Sequence, residues 1–119
     1  MTWSPQVTAG KTENARGLTK PWMEYSKNGV LALMWRAIYA DGTYDIWSSL
    51  SRDGGKSFSP SVRVSHAVSP ASVPARNAGL FGDDLQNLAI DGEAVHMVWA
   101  DSRAGFQGVW YGRIPLTAY

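Results

Sequence analysis

The sequence predicts an all-β chain of short antiparallel strands, and three observations support this fold class. Two apolar runs, 30–35 and 94–99, are too short for a convincing helix and are hydrophobic on both faces, as in strands that lie between neighbouring sheets. Each run follows a hairpin-type turn, Asn28-Gly29 or Asp91-Gly92. Six Trp, five Tyr and 12 Gly among 119 residues favour strands and tight turns, so we predict no helix.

Residues 19–65 predict one complete four-stranded antiparallel meander. The apolar run at 30–35 is its second strand, and a loop at 36–42 separates this strand from the third. Tyr and Trp in the third candidate and Val in the fourth are residue types that favour strands. The four strand candidates are residues 19–26, 30–35, 44–50 and 62–65.

Residues 82–114 repeat this order after a long loop at 66–81. Strand candidates at 82–90, 94–99 and 109–114 follow one another, with a loop at 100–108, and Trp99 matches Trp35 of the first meander. An internal period of about 60 residues with four strands per unit is a signature of β-propeller blades. The second predicted blade lacks its fourth strand.

The first eight residues match the segment that enters the fourth strand of the first blade. Residues 2–8 carry an aromatic residue, Ser, Pro and Val in the same order and spacing as residues 57–63. We therefore predict that residues 1–8 form a stray fourth strand, centred on 6–8, whose sheet lies elsewhere.

The turn between the third and fourth strands of the first blade has the chemistry of a rigid hairpin loop. Asp53 can accept backbone N–H bonds inside the turn, and Ser51 can add a weaker side-chain bond. Gly54 and Gly55 can adopt positive φ angles. Phe58 can fold back beneath the turn as an apolar plug.

This order, carried by Ser51, Asp53, Gly55 and Phe58, resembles the Asp-box, or BNR repeat, of sialidases and related β-propellers. In that family the Asp-box joins the third and fourth strands of a blade on the face away from the active site. The resemblance therefore implies that these residues support the fold and do not bind ligand or metal. The segments 20–22, 82–84 and 99–103 resemble further recurrent phrases of bacterial sialidase-like propellers.

Two blades cannot close a propeller, because closed rings typically need about four to eight blades. An open pair would expose an apolar sheet face and unpaired strand edges. We therefore predict a cyclic homo-oligomer with head-to-tail contacts, in which 6–8 of one copy completes the second blade of its neighbour. Three chains would make a six-bladed ring, which we favour over two chains with four blades. The alternative is a piece of a longer propeller.

The propeller resemblance places the binding face at the loops that enter the first strands and join the second to the third. Arginine forks bind carboxylates and exposed aromatic rings can stack on sugars, so a carbohydrate is the expected ligand class. The alternative for Asp101 and Arg103 is that they pair with each other and fix their loop. The predicted binding residues are Arg36, Tyr39, Asp83, Asp84, Asp101 and Arg103.

Catalysis is not predicted. The sialidase resemblance would require three arginines on the substrate carboxylate, a tyrosine assisted by a glutamate, and an acid/base aspartate. Glu13, Glu24 and Glu93 have no tyrosine at an obvious matching spacing, and a symmetric ring cannot supply different residues from different blades. A fragment or relative of an exo-sialidase-type hydrolase remains one alternative, and a natural or engineered structural fragment without a ligand is another.

Metal, cofactor and nucleic-acid sites are also not predicted. Asp83, Asp84 and Asp101 offer oxygen atoms to calcium but lack the spacing of a known calcium loop. No phosphate-binding or zinc motif is present, and His96 is interpreted as a hydrogen-bonded core residue. The chain has no cysteine and a formal net charge of +1. These features exclude a disulfide framework and do not indicate nucleic acid.

The composition does not point to a membrane. The chain is 45% hydrophobic and 18% charged, as expected for a globular protein. No apolar run reaches the roughly 18 residues of a membrane-spanning helix, and the first residues lack the basic and apolar regions of a signal peptide. We expect a soluble protein, while the compartment stays open.

Overall fold

The computed structural model describes residues 2–70, 86–106 and 108–119. These residues form two antiparallel sheets, of order β1-β2-β3-β4 and β5-β6-β7, and no α-helix. The predicted all-β class and the two meanders are confirmed. The elements are β1 (Gly17–Tyr25), β2 (Leu31–Ile38), β3 (Tyr44–Ser51), β4 (Val62–Arg63), β5 (Gln86–Ile90), β6 (Ala94–Asp101), β7 (Gly108–Pro115) and a short 3-10 turn, Leu116–Ala118.

Strands β2 and β6 extend beyond the apolar runs that predicted them. The sequence predicts loops at Arg36 and Asp101, but Arg36 lies on β2 opposite Ile46, and Asp101 ends β6 opposite Gly108. Backbone pairing with the next strand continues through both residues. Their polar side chains do not end the strands, because each finds a partner within the protein.

Strand β1 contains an irregularity at Pro21. The pairing of β1 with β2 shifts register between Thr19 and Trp22, and Lys20 has a φ of 52°. Proline cannot donate a hydrogen bond to a ladder, so it is tolerated at an edge strand or a bulge. The side-chain amide of Gln86, at the start of β5, donates to the Lys20 carbonyl. β1 and β5 are therefore adjacent where the two sheets meet.

The two sheets pack face to face around one apolar core. Met34 and Ile46 from the first sheet and Val95 and Met97 from the second are fully buried. Trp99 is 3% exposed and belongs to the same cluster. Such burial provides the main favourable term of folding, so the core lies between the sheets and fixes the side chains around it.

The N-terminal arm, defined here as residues 2–13, contacts the other face of the first sheet through residues 9–12. A Cβ on Gly10 would lie 2.5 Å from the Trp35 ring, so only glycine permits this approach. The Trp35 indole N–H donates to Thr12 Oγ1 at 3.0 Å, and the Ser49 hydroxyl donates to the Ala9 carbonyl at 2.6 Å. Trp35 is 3% exposed, which confirms its predicted place in the core.

The predicted stray strand at 6–8 has no strand assignment within the single chain, and residues 2–8 are exposed. Its proposed partner is a neighbouring copy, so the pairing stays a prediction. The predicted residues Asp83 and Asp84 lie outside the described residues.

Candidate functional site

The connections β2–β3 and β6–β7 lie at the same end of the two sheets, which we call the loop end. The Tyr44 hydroxyl, at the start of β3, donates to the Ala100 carbonyl near the end of β6 at 3.0 Å. The Ser69 hydroxyl donates to Asp101 Oδ2 at 2.8 Å. Arg36, Tyr39, Asp101 and Arg103, the four predicted binding residues that the structure describes, all belong to this end.

Asp101 and Arg103 bind each other in a buried pair. The guanidinium donates from NH2 to Asp101 Oδ2 at 2.6 Å and from Nε at 2.8 Å, and the Arg103 amide donates to Oδ1 at 2.9 Å. The side chains are only 0% and 14% exposed, respectively. These contacts agree with the alternative interpretation, in which Asp101 and Arg103 bind each other and fix their loop and do not bind a ligand.

Two further side chains donate hydrogen bonds to the Asp101 carboxylate. Ser69 and the Trp99 indole donate to its Oδ2, the latter at 3.0 Å. Burial acts to raise the pKa of Asp101, but the hydrogen bonds from Arg103, Ser69 and Trp99 outweigh it, and the pKa is lowered. Arg103 also stacks over the Trp110 ring at 4.6 Å. Both charged groups are satisfied internally, which leaves little capacity to bind a substrate carboxylate.

Arg36 lies between the sheets and not on an open binding surface. It is 4% exposed, and its guanidinium carbon lies 4.2 Å from the centre of the Tyr44 ring. Cation–π contacts of this kind are stronger when they are removed from water. Arg36 is therefore held in a buried cation–π contact, and its recognition of a ligand carboxylate stays a prediction.

Tyr39 lines an open depression of about 720 Å³ at the loop end. Its hydroxyl donates to Asp45 Oδ2 at 3.0 Å, while Arg63 and Ser65 donate to Asp45 Oδ1 at 2.9 and 3.0 Å. Burial raises the pKa of the Tyr39 phenol, and the Asp45 carboxylate acts in the same direction. Trp47 also lines this depression. Asp45 is not among the residues predicted from the sequence, although a carboxylate at the second position of a predicted strand was a usable signal.

The turn at 51–58 lies at the opposite end of the first sheet. Asp53 Oδ1 accepts the amides of Lys56 and Ser57 at 3.0 and 2.9 Å, and the Ser51 hydroxyl donates to the same oxygen at 2.8 Å. Gly54 and Gly55 have φ angles of 74° and 85°. The backbone hydrogen bonds and positive φ angles expected from the sequence are therefore present. The Asp53 carboxylate is engaged in hydrogen bonds within the turn.

The outer face of the second sheet is open to solvent, whereas its repeat equivalent in the first sheet is buried. Trp35 pairs with Trp47 as Trp99 pairs with Trp110, which fixes the correspondence between the sheets. In the first sheet this face is 0% exposed at Met34, Ile46 and Ser48. The equivalent residues of the second sheet are Val98, Val109 and Tyr111, which are 39%, 78% and 59% exposed.

A second polar cluster lies on this outer face. His96 Nδ1 lies 2.8 Å from the Tyr111 hydroxyl, and His96 Nε2 lies 2.9 Å from Asp91 Oδ2. The interpretation of His96 as a core residue is wrong in position, because its side chain is 30% exposed, but both ring nitrogens have partners. The predicted β6–β7 hairpin would have revealed this cluster if its register had been worked out.

Among the residues that the structure describes, no group of three His, Cys, Asp or Glu side chains is placed to hold a metal ion. The same part of the chain contains no helix with the length and hydrophobicity needed to cross a membrane. No family model, curated protein or solved structure matches this chain.

Proposed function

We propose that this chain is a non-catalytic, sialidase-like β-propeller module that assembles with copies of itself into a closed ring. The observation that carries this proposal is the exposed outer face of the second sheet. Its repeat equivalent in the first sheet is covered completely by a neighbouring sheet. The outer face therefore has the position of a surface that receives one more sheet, and Val98 and Val109 give it exposed apolar side chains.

The occupant that fits this surface is the first sheet of a second copy. Within one chain, the Trp99 face of the second sheet packs on the first sheet, where a Cβ on Gly112 would lie 2.8 Å from Val64 Cγ1. The equivalent face of the first sheet carries Trp35. Stacking the Trp35 face of one copy on the outer face of another would repeat the packing already present within the chain. Such a contact is heterologous and closes only as a ring or continues as a filament.

The position of the N-terminal arm supports the same arrangement. The sequence match between 2–8 and 57–63 makes Gly10 the counterpart of Ser65, directly after β4. The arm approaches Trp35 at Gly10, and Val64, the residue after β4, belongs to the same buried cluster as Trp99. In the first sheet Val62 pairs with Ser48, and Arg63 pairs with Trp47. Residues 7–8 of one copy would pair in the same way with 110–111 of its neighbour and complete that blade.

The charged residues of the loop end favour a module without catalysis. Arg103 and Asp101 neutralise each other, and Arg36 is buried against Tyr44. A sialidase-type site requires arginines that face an open cavity. Three copies would give six blades, the number that the sialidase resemblance implies.

The test is the solution mass of the full chain, measured by light scattering on a sizing column over a range of concentrations. We expect three times the 13.0 kDa of the chain. A doubled mass would support self-assembly with a four-bladed ring. A monomer at every concentration would overturn the proposal and favour a segment of a longer propeller.

Two variants and one matched control locate the contact. Val109→Lys places a charge on the outer face, and Val7→Pro removes the backbone donor that the exchanged strand needs. Both should give monomers that retain the β-sheet circular dichroism signal. Glu24→Lys is the control, since Glu24 is an exposed residue of β1 that pairs with Ala32, on the face of the first sheet that packs within the chain and outside the proposed contact. If all three variants assemble equally, the contact is elsewhere.

The depression at Tyr39 supports carbohydrate binding as a second candidate function. It combines the aromatic side chains of Tyr39 and Trp47 with the polar groups of Asp41, Asp45 and Arg63, a combination that suits sugar faces and hydroxyl groups. NMR titration with neutral and acidic monosaccharides should shift the Tyr39 and Trp47 resonances, and Trp47→Ala should abolish the shifts. Tyr39→Phe keeps the ring and removes only the hydroxyl, so it should reduce the shifts less than Trp47→Ala does. Unchanged spectra with both sugar classes would remove this candidate.

A further inference from the structure

The cluster on the outer face is a chain of three hydrogen-bonded side chains that begins at a rigid turn. Asp91 Oδ1 accepts the amides of Glu93 and Ala94 at 2.7 and 2.8 Å. This leaves Oδ2 directed at His96 Nε2, at 2.9 Å, and His96 Nδ1 lies 2.8 Å from the Tyr111 hydroxyl. A carboxylate, an imidazole and a phenol therefore stand in series on the second sheet.

The direction of each hydrogen bond follows from the charge on Asp91. The amides of Glu93 and Ala94 and the bond to His96 lower the pKa of Asp91 to about 2, so the carboxylate is ionised and accepts only. Nε2 of a neutral His96 must then carry the ring proton. Nδ1 is left as an acceptor, and the Tyr111 hydroxyl donates to it. This is the arrangement in which an imidazole can remove the proton of a nucleophile.

We propose that Tyr111 is an activated nucleophile, with His96 as its base and Asp91 as the positioning residue, and that it reacts with aryl sulfonyl and acyl electrophiles. With a sulfonyl fluoride, Tyr111 Oη forms a bond to sulfur, the S–F bond breaks, and fluoride leaves. The phenol proton passes to His96 Nδ1. With an aryl ester the same oxygen attacks the carbonyl carbon, and an aryl oxide leaves.

The surroundings of Tyr111 explain why an aromatic electrophile suits it. Val98 lies directly opposite Tyr111 in the sheet, and Val109 is two residues away on the same face. Both are exposed and form an apolar platform beside the phenol. Arg113 is paired with His96 across the strands and contacts the Glu93 carboxylate at 3.5 Å, so its charge is partly neutralised.

The activation belongs to a single chain and does not depend on the proposed ring. Asp91, His96 and Tyr111 all belong to the second sheet and its β5–β6 turn, and Tyr111 is 59% exposed in that chain. The labelling should therefore be measured at low protein concentration. Ring formation would cover Tyr111 and protect it, which is a separate observation from its intrinsic reactivity.

The test is covalent labelling of the full chain with an aryl sulfonyl fluoride, with rates at each tyrosine read by peptide mass spectrometry. Tyr25 is the internal control, since it is 52% exposed. A positioned base typically accelerates proton transfer by about 100-fold or more, and in this open site we expect Tyr111 to react at least about tenfold faster than Tyr25.

Two variants test the proposed roles of His96 as the base and Asp91 as the positioning residue. His96→Gln removes the base, and Asp91→Asn retains the oxygen that holds the turn but presents an amide N–H₂ to Nε2, which reverses the tautomer. Both should lower Tyr111 labelling to the level of Tyr25 and leave Tyr25 unchanged. Equal labelling of Tyr111 and Tyr25 in the native chain would overturn the proposal, as would a His96→Gln chain that labels at the native rate. If a variant fails to fold, the labelling ratio of Tyr111 to Tyr25 in the native chain still decides.

Discussion

The same strand surface is buried in the first sheet and exposed in the second. Ile46 and Val109 occupy equivalent positions beside their paired tryptophans, yet Ile46 is 0% and Val109 is 78% exposed. The strands around them have the same order, direction and register. The two surfaces differ because a neighbouring sheet packs on the first and none packs on the second within the described chain. Burial of a repeat is therefore decided by its neighbour, as expected for structures in which each unit contacts only adjacent units.

The side chains on this surface reflect that difference. Ser48 of the first sheet accepts a hydrogen bond from the Tyr119 hydroxyl at 2.7 Å and has no exposure. Its equivalent, Tyr111, projects into solvent and contacts His96. At this position the small Ser48 allows close packing in the first sheet, whereas the second sheet presents the larger Tyr111, which is available for contact.

The largest expected effect tests this comparison directly. Ile46→Ala should lower the free energy of unfolding by roughly 4 kcal/mol, because it leaves a cavity in a packed interface. The matched variant Val109→Ala should change the stability of the unassembled chain by no more than about 0.5 kcal/mol. Urea unfolding at low protein concentration measures both. Equal losses for the two variants would contradict the assignment of buried and open faces.

The two carboxylates of the loop end are both buried, but their arginine partners differ in exposure, 14% for Arg103 and 39% for Arg63. Arg103→Ala removes the partner of a carboxylate that is fully buried and should cost roughly 3 kcal/mol. Arg63→Ala removes a 39% exposed partner from Asp45, which keeps its bonds to Tyr39 and Ser65, and should cost about 1 kcal/mol or less. Urea denaturation midpoints compare the two. A larger loss for Arg63→Ala would show that Asp45 is the more critical carboxylate.

A third comparison concerns the two core tryptophans. A Cβ at position 10 would lie 2.5 Å from the Trp35 ring, and one at 112 would lie 2.8 Å from Val64 and 3.1 Å from the Trp99 ring. Gly10→Ala and Gly112→Ala should each cost about 1–2 kcal/mol through overpacking. Gly10→Ala should also displace the arm and increase solvent quenching of Trp35 fluorescence. A neutral Gly10→Ala variant would show that the arm is not packed on Trp35.

The fold could be predicted because its signals are local. Alternating and apolar runs identified the strands, and Asn28-Gly29 and Asp91-Gly92 marked hairpin turns that the structure contains. Strand ends were less predictable. Arg36 and Asp101 look like loop residues in one dimension, but the partners that allow them to continue a strand, Tyr44 and Ser69, are distant in sequence.

The candidate site was less predictable, since it depends on which polar groups are already paired. The sequence offered Arg36, Arg103 and Asp101 as equivalent candidates, and only the three-dimensional contacts separate them. The Asp91 and His96 pair spans a turn and one strand, and its Tyr111 partner depends on the exact hairpin register. A shift of one residue would turn Tyr111 to the other face.

The smallest expected effect compares two turns that are each held by a carboxylate, Asp53 in the first sheet and Asp91 in the second. Hydrogen bonds from Ser57 and Ser51 lower the pKa of Asp53 well below its ordinary range, and those from Glu93 and Ala94 lower the pKa of Asp91 to about 2. A lowered folded-state pKa contributes stability that is present above the unfolded-state pKa and lost as pH falls through the folded-state value.

Both turns should therefore weaken as the pH falls below about 4, near the unfolded-state pKa of aspartate. Because the pKa of Asp53 is lowered further, Asp53→Asn should remove more of the acid-dependent stability than Asp91→Asn. Urea midpoints measured across this pH range show how strongly the stability of each variant depends on pH. Ser57→Ala, which deletes the bond to Asp53 Oδ2 at 2.6 Å and keeps the charge, should fall between the native chain and Asp53→Asn. The opposite order would contradict this prediction. If Asp91→Asn removes more of the acid-dependent stability than Asp53→Asn, the stability of the second sheet, which has the open face, depends more on its turn.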